Sequence, residues 1–191
     1  VRPPRPRLSP LPSRRGWLCA LPTVSADINL GMIALLANRL PDHGSHVESQ
    51  TDDTGSKSNL LARIGPEEPG GLMLSGHTDV VPVEDQDWTS DPFEMRKDDG
   101  KLFGRGTCDM KGFLPLAIEA ARAFVDEDLK QPLIILATAD EESSTDGARA
   151  LAEAGKPRAR YAAIGEPTRR KPVRLHKGSR MAETQDGGAL R

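Results

Sequence analysis

Between Ile28 and Leu40, apolar residues recur at Ile28, Ile33, Leu36 and Leu40, close to the spacing of one helix face. This spacing predicts a helix that Ser25 or Asp27 can cap and that Pro41 ends. The next segment carrying His43 and His46 is polar and reads as a solvated loop. "SNLLARI" then has a strand pattern, "PEEPGG" a turn, and "GLMLSG" a second, shorter strand. "DQDWTSDPFEMRKDDGKLFGRG" keeps no period and reads as an irregular loop with a hairpin at Asp99-Gly100. "FLPLAIEAARAFVDE" has one apolar face and predicts a helix of about four turns, with Pro115 tolerated because it falls in the first. "PLIILATA" is apolar without interruption, as in a strand buried on both faces. "DGARALAEAG" predicts a short helix that Gly155 can stop, and "RYAAIG" and "KPVRLHKG" predict two more strands.

Strands alternating with helices predict an α/β fold, a mostly parallel or mixed sheet flanked by helices. At 191 residues the chain is long enough for one domain with a core. The first fifteen residues break the pattern, with five arginines, no acid and interleaved prolines, which predicts an extended, disordered stretch over 1–16. Over the whole chain charge is balanced, 26 basic against 28 acidic side chains for a net of -2, so neither nucleic acid nor a membrane surface is expected as a partner. Two cysteines, Cys19 and Cys108, are too few for a disulfide framework and favour a reducing, cytoplasmic setting. No apolar run approaches the roughly 20 residues of a membrane span.

Candidate chemistry gathers where strands end. "GLMLSG" is followed by His77 and Asp79, "PLIILATA" by Asp140, Glu141 and Glu142, and "RYAAIG" by Glu166, while Asp109 precedes the long helix. In open α/β sheets ligands bind beyond the carboxyl ends of the strands, so these stretches can converge. Three adjacent acids repel one another unless water bathes them or a cation sits among them, and a divalent ion reverses the balance. One histidine among carboxylates suits zinc or cobalt. Residues i and i+2 of an extended chain share a face, so Asp79 can accept the free N–H of the His77 imidazole. A divalent ion acidifies the water it binds, and a neighbouring carboxylate can take that proton. Taken singly, each motif has a plainer reading: "HTD" a turn, "DEE" the solvated start of a helix, "DMKG" a helix start with Lys111 an exposed charge, and "GEP" a turn. All four in order, each where an α/β enzyme would place a ligand, favour the metal.

"SGHTDVVP", "GRGTCDMKG", "ATADEESSTDGAR", "IGEPT" and "HKG", with "LPTVSA" before the first helix, resemble the zinc-dependent aminoacylase and peptidase family. That family includes acetylornithine deacetylases, succinyl-diaminopimelate desuccinylases, carboxypeptidases and aminopeptidases. "GTCDMKGF", "ILATADEE" and "PVRLHKG" are most similar to its acetylornithine deacetylases, and the resemblance covers roughly Leu21 to Gly178. It implies a zinc-exopeptidase-like catalytic domain in which His77 and Glu166 bind one metal, Glu142 the other, and Asp109 bridges them at about 3.5–4 Å. Glu141 would be the general base and Asp79 would orient His77. His176 is not a ligand in that scheme and reads as structural. The implied substrate is a small N-acyl amino acid, N-acetylornithine first, cleaved to ornithine and acetate in arginine biosynthesis; a desuccinylase or another metallopeptidase is the alternative. The implied cofactor is zinc or cobalt, two ions per site in a complete member, and the implied assembly is a homodimer.

Family members continue beyond "HKG" into a lid and dimerisation domain and return with a late histidine that completes the second metal site. The chain therefore reads as a partial catalytic domain over 17–178, followed at 179–191 by a truncated crossing toward a lid it lacks. On that reading one metal, at His77, Asp109 and Glu166, is expected rather than two, and an inactive form or a non-catalytic metal-binding remnant is expected of these residues.

Overall fold

The computed structural model describes residues 18–41, 44–169, 171 and 173. Residues 1–16, His43, most of the expected strand over 171–178 with His176, and the segment 179–191 lie outside the described residues.

Helix α1 spans Leu30–Ala37 and buries Met32, Ile33 and Leu36. It starts later than its apolar spacing suggests. Ile28 precedes it and is 64% exposed, and neither Ser25 nor Asp27 is its cap. Asn29 stands at the cap position, but its buried side chain serves the tertiary structure instead. Its amide donates to the Ser58 carbonyl at 2.8 Å and to Thr78 Oγ1 at 3.0 Å, and its oxygen accepts from the Ser58 amide at 2.8 Å. A buried amide with all these bonds made is stabilising, whereas one left unpaired would cost about 1–3 kcal/mol.

Five strands form the main sheet: β1 (Ser45–Thr51), β2 (Ser58–Ile64), β3 (Leu72–His77), β6 (Leu133–Thr138) and β7 (Tyr161–Ile164), in the order β1-β2-β6-β3-β7. β1 pairs antiparallel with β2 and β2 with β6, while β6–β3 and β3–β7 are parallel. The sheet is thus mixed, as expected. Strand β1 was not expected, because "SHVESQT" lacks an apolar face. An edge strand paired on one side and mostly exposed does not need one. His46 lies on this strand rather than in a loop, with its exposed side chain 3.5 Å from Glu48.

The short strands β4 (Arg96–Asp98) and β5 (Lys101–Phe103) form the hairpin at Asp99-Gly100, both turn residues having positive φ (42° and 71°). Helix α2 spans Phe113–Arg122, shorter than its apolar pattern, and buries Leu114, Pro115, Ala117, Ile118 and Ala121. Alternate residues Leu60, Ala62 and Ile64 of β2 and Ile135 and Ala137 of β6 join both helices in one core. Each fully buried leucine or isoleucine there contributes on the order of 1.5–3 kcal/mol. Helix α3 (Asp146–Glu153) follows β6, and Gly155 (φ 64°) ends it in the left-handed region. Asn59 ties α3 to the sheet by donating to the Gly147 carbonyl at 2.9 Å. No helix among the described residues is long and apolar enough to cross a membrane.

Candidate metal centre

Parallel pairing brings three chain segments to one rim. His77 is the last residue of β3 and stands opposite Thr138 of β6, and the Thr78 amide continues the ladder to the Thr138 carbonyl at 2.8 Å. Two residues beyond Thr138, the chain reaches Asp140, Glu141 and Glu142. On the other side of β3 the register pairs Ser75 with Ile164, and the Gly165 amide bonds the Ser75 carbonyl at 3.0 Å, so Glu166 arrives level with His77. Asp109 comes from the turn before α2, where the Gly112 amide bonds the Gly106 carbonyl at 2.9 Å. Gly165 allows the close approach, since a Cβ there would overlap the Phe113 ring.

His77 is buried. Its Nδ1 lies 2.9 Å from the Asp79 carbonyl oxygen and 3.5 Å from Asp79 Oδ1. The carbonyl can only accept, so Nδ1 carries the proton and Nε2 is turned the other way. Nε2 is buried and has no hydrogen-bond partner. It faces Asp109 Oδ1 at 3.4 Å, Glu141 Oε2 at 3.8 Å and Glu166 Oε1 at 3.8 Å. Two sets of ligand atoms close to within 4.8 Å of one another, His77 with Glu141 and Glu166, and His77 with Asp109 and Glu142. The five side chains expected from the sequence to bind metal or act as base, His77, Asp109, Glu141, Glu142 and Glu166, are therefore neighbours. The geometry does not separate Glu141 from Glu142 by role, because each belongs to one of the two sets.

Asp79 is buried and does more than face the imidazole. Its Oδ2 accepts from Ser25 Oγ at 2.6 Å and from the Glu142 amide at 3.0 Å, and its Oδ1 accepts from the Glu141 amide at 3.1 Å. Burial alone would raise this carboxyl, yet the hydrogen bonds from His77, Ser25 and the Glu142 amide hold it down at about 2. Burial would lower the imidazole of His77, and the bond and charge of Asp79 with the charge of Glu141 overcome that and raise it to about 9. Glu142 and Glu166 are raised above the ordinary carboxylate value, first by burial; at both, the Asp109 charge adds to the rise and His77 opposes it.

The crowding of three adjacent acids is relieved by separation. Asp140 turns away into an ion pair with Lys57 at 2.7 Å, with φ of 59°, leaving Glu141 and Glu142 to face the centre. Helix α3 begins only at Asp146, so these acids are not its first turn.

Lys111 corrects an expectation. It is fully buried, donates to the Leu21 carbonyl at 2.7 Å, and lies 3.5 Å from Thr23 Oγ1. Burial is the main cause that lowers its ammonium to about 8. Its sequence context, a charge beside a glycine before an apolar helix, carries no mark of burial. The fold makes room for it at Gly106, where an added Cβ would come within 2.6 Å of Lys111 Cε. Ser25 and Lys57 were likewise missed as contributors to the rim, because a serine in a turn and a lysine at a strand start are ordinary. Cys19 is buried, Cys108 is exposed, and both are free thiols.

The fit to a metal follows from the orphaned Nε2 and the ligand types. Ligand atoms about 2.0–2.2 Å from a tetrahedral zinc stand roughly 3.3–3.6 Å from one another, close to the spacings around Nε2.

The sequence profile of peptidase family M20/M25/M40 matches residues 73–178. Over 168 residues the chain is 49% identical to the acetylornithine deacetylase of Shigella sonnei (strain Ss046), covering 84% of this chain and 44% of that protein. The chain spans less than half the length of this relative. Among solved structures, human carnosine dipeptidase 1 superposes with a TM-score of 0.69 at 25% identity, over 81% of this chain and 38% of that one. The dipeptidase Dug1p of Saccharomyces cerevisiae superposes with a TM-score of 0.65 at 21% identity, over 81% and 37% of the two chains, a likeness of fold.

Proposed function

Because this chain belongs to peptidase family M20/M25/M40, we propose that it serves a metal-dependent hydrolase that cleaves the amide bond of a small N-acyl amino acid. N-acetylornithine, giving ornithine and acetate, is the first substrate of choice, supported by the 49% identity to an acetylornithine deacetylase. A succinylated diamino acid or a dipeptide is the alternative.

The observation that carries this reading is the buried, unpartnered Nε2 of His77 among the carboxylates of Asp109, Glu141 and Glu166. His77, Asp109, Glu142 and Glu166 would hold zinc or cobalt, and the ion when bound would act as a Lewis acid toward the substrate carbonyl and acidify water. Asp79 fixes the Nδ1–H tautomer and so keeps Nε2 free for a ligand bond. Glu141, half exposed at the rim, would take the proton from the attacking water and return it to the leaving amine. Neutral exchange of that one proton leaves the carboxylate ready for the next turnover.

Metal binding and turnover are to be tested apart, because the chain spans 44% of the relative's length. Zinc or cobalt per chain is measured by elemental analysis after gel filtration, and acetate release from N-acetylornithine is assayed on the same sample. Metal with acetate release supports the hydrolase, metal without release favours a binding domain lacking turnover, and no metal ends the reading.

A further inference from the structure

Lys57 immediately precedes β2, and the chemistry above gives it no task. Its side chain is only 15% exposed, an unusual state for a lysine, and so is that of its partner Asp140. The ammonium donates to Asp140 Oδ1 at 2.7 Å and to the Ser25 carbonyl at 2.6 Å. These two acceptors are distant in sequence, and both of their segments end on Asp79. Ser25 gives its hydroxyl to Asp79 Oδ2, and the two residues after Asp140 give their amides to the two Asp79 oxygens. Asp140 itself has φ of 59°, a left-handed conformation that a non-glycine residue keeps only when its surroundings enforce it.

We propose that Lys57 is a positioning residue of the metal centre: by clamping Asp140 to the Ser25 carbonyl it holds the 140–142 reversal in the one register at which Glu141 and Glu142 face His77. The clamp acts through backbone, not through contact with the reacting atoms. Its effect on metal binding rests on the proposed function, whereas its effect on the reversal does not.

The sign of the effect separates positioning from simple charge. Removing a cation near an acidic cluster strengthens cation binding through space. Losing the clamp weakens it, as loss of an outer hydrogen-bond partner of metal ligands does, by about 10–100-fold. Two measurements on the full chain decide the matter: hydrogen exchange of the Glu141 and Glu142 amides in metal-free protein, and zinc affinity by competition with a chromophoric chelator. Lys57→Met is expected to speed exchange of those two amides about tenfold relative to the Ile135 amide of β6, and to weaken zinc about 10–100-fold. Lys57→Arg, which keeps a donor pair, is expected to restore most of both. Adding Asp140→Asn to Lys57→Met is expected to cost little more than either change alone. Unchanged exchange in Lys57→Met, or zinc bound equally or more tightly, overturns the proposal. If the wild type binds no zinc, the metal reading fails while the exchange measurement still decides the clamp. If Lys57→Met does not fold, Asp140→Asn carries the same two measurements.

Discussion

The Nδ1 atom of His77 stands 2.9 Å from the carbonyl oxygen of Asp79, a residue only two positions further along the chain. One residue therefore sets the imidazole tautomer with its backbone and gathers three hydrogen bonds with its carboxylate. These come from the Ser25 hydroxyl and the amides of Glu141 and Glu142. The side chain of Asp79 is as much a knot between segments as a support for His77.

Asp79→Asn keeps the carbonyl contact but replaces one accepting oxygen with a donor that faces donors. The expected result is a loss of about 1–3 kcal/mol in stability, read by urea unfolding. Zinc affinity is expected to fall by about 10–100-fold, read by chelator competition. Unfolding and affinity both unchanged would remove Asp79 from either role.

Glu141→Gln separates proton transfer from metal binding. Where the wild type releases acetate from N-acetylornithine, the variant is expected to be slower by about 10²–10⁴-fold. Its zinc affinity should stay within about threefold of the wild type, the range of an ordinary context effect. A large loss of affinity would instead make Glu141 a ligand, in keeping with its place beside His77 and Glu166.

The metal-free protein should lose stability toward high pH. His77 holds its proton to about 9, whereas an unfolded imidazole releases it near 6.5. Its contribution is complete below about 6.5 and disappears as pH rises through about 9. Asp79, held at about 2 against an ordinary 3.8, contributes above that ordinary value and loses its contribution as pH falls toward 2. Urea melts are expected to fall between about pH 6.5 and 8 and His77→Gln to flatten that fall, while above about 8 the buried ammonium of Lys111, held down to about 8, acts in the opposite direction. Zinc requires the neutral imidazole, so its affinity should rise with pH over the same window.

Gly165→Ala tests how Glu166 reaches the rim. The added methyl would meet the Phe113 ring, so the end of β7 must shift or the ring must move. A cost of about 1–3 kcal/mol in thermal unfolding is expected from such overpacking. Zinc affinity should fall as well, while Gly31→Ala, at an open helical position of α1, serves as the comparison in which affinity holds.

Much of this architecture is legible in the residues themselves. "PLIILATA" is read correctly because burial on both faces demands uninterrupted apolar side chains, and "SNLLARI" matches Ser58–Ile64. The juxtaposition of His77, Glu141, Glu142 and Glu166 was legible because they stand at or just beyond strand ends that parallel pairing aligns, whereas Asp109 comes from the turn before α2. What escaped is governed by tertiary partners. β1 is strand because β2 offers it a hydrogen-bonding edge, not because of its own side chains. Helix α1 starts at Leu30 because Asn29 is committed to Ser58 and Thr78. Lys111 is interior because the Leu21 carbonyl accepts from its ammonium there. No local pattern announces a lysine that will find its acceptor ninety residues away.

Among the described residues, β7 stands at the end of the sheet with all four of its residues open to solvent, Tyr161 at 62% and Ile164 at 64%. Such a seam recruits strands, from another molecule if nothing else lies against it. Isolated, the chain should scatter light increasingly with concentration, and a charged gatekeeper such as Ala162→Lys should suppress this without disturbing the rim where His77 stands.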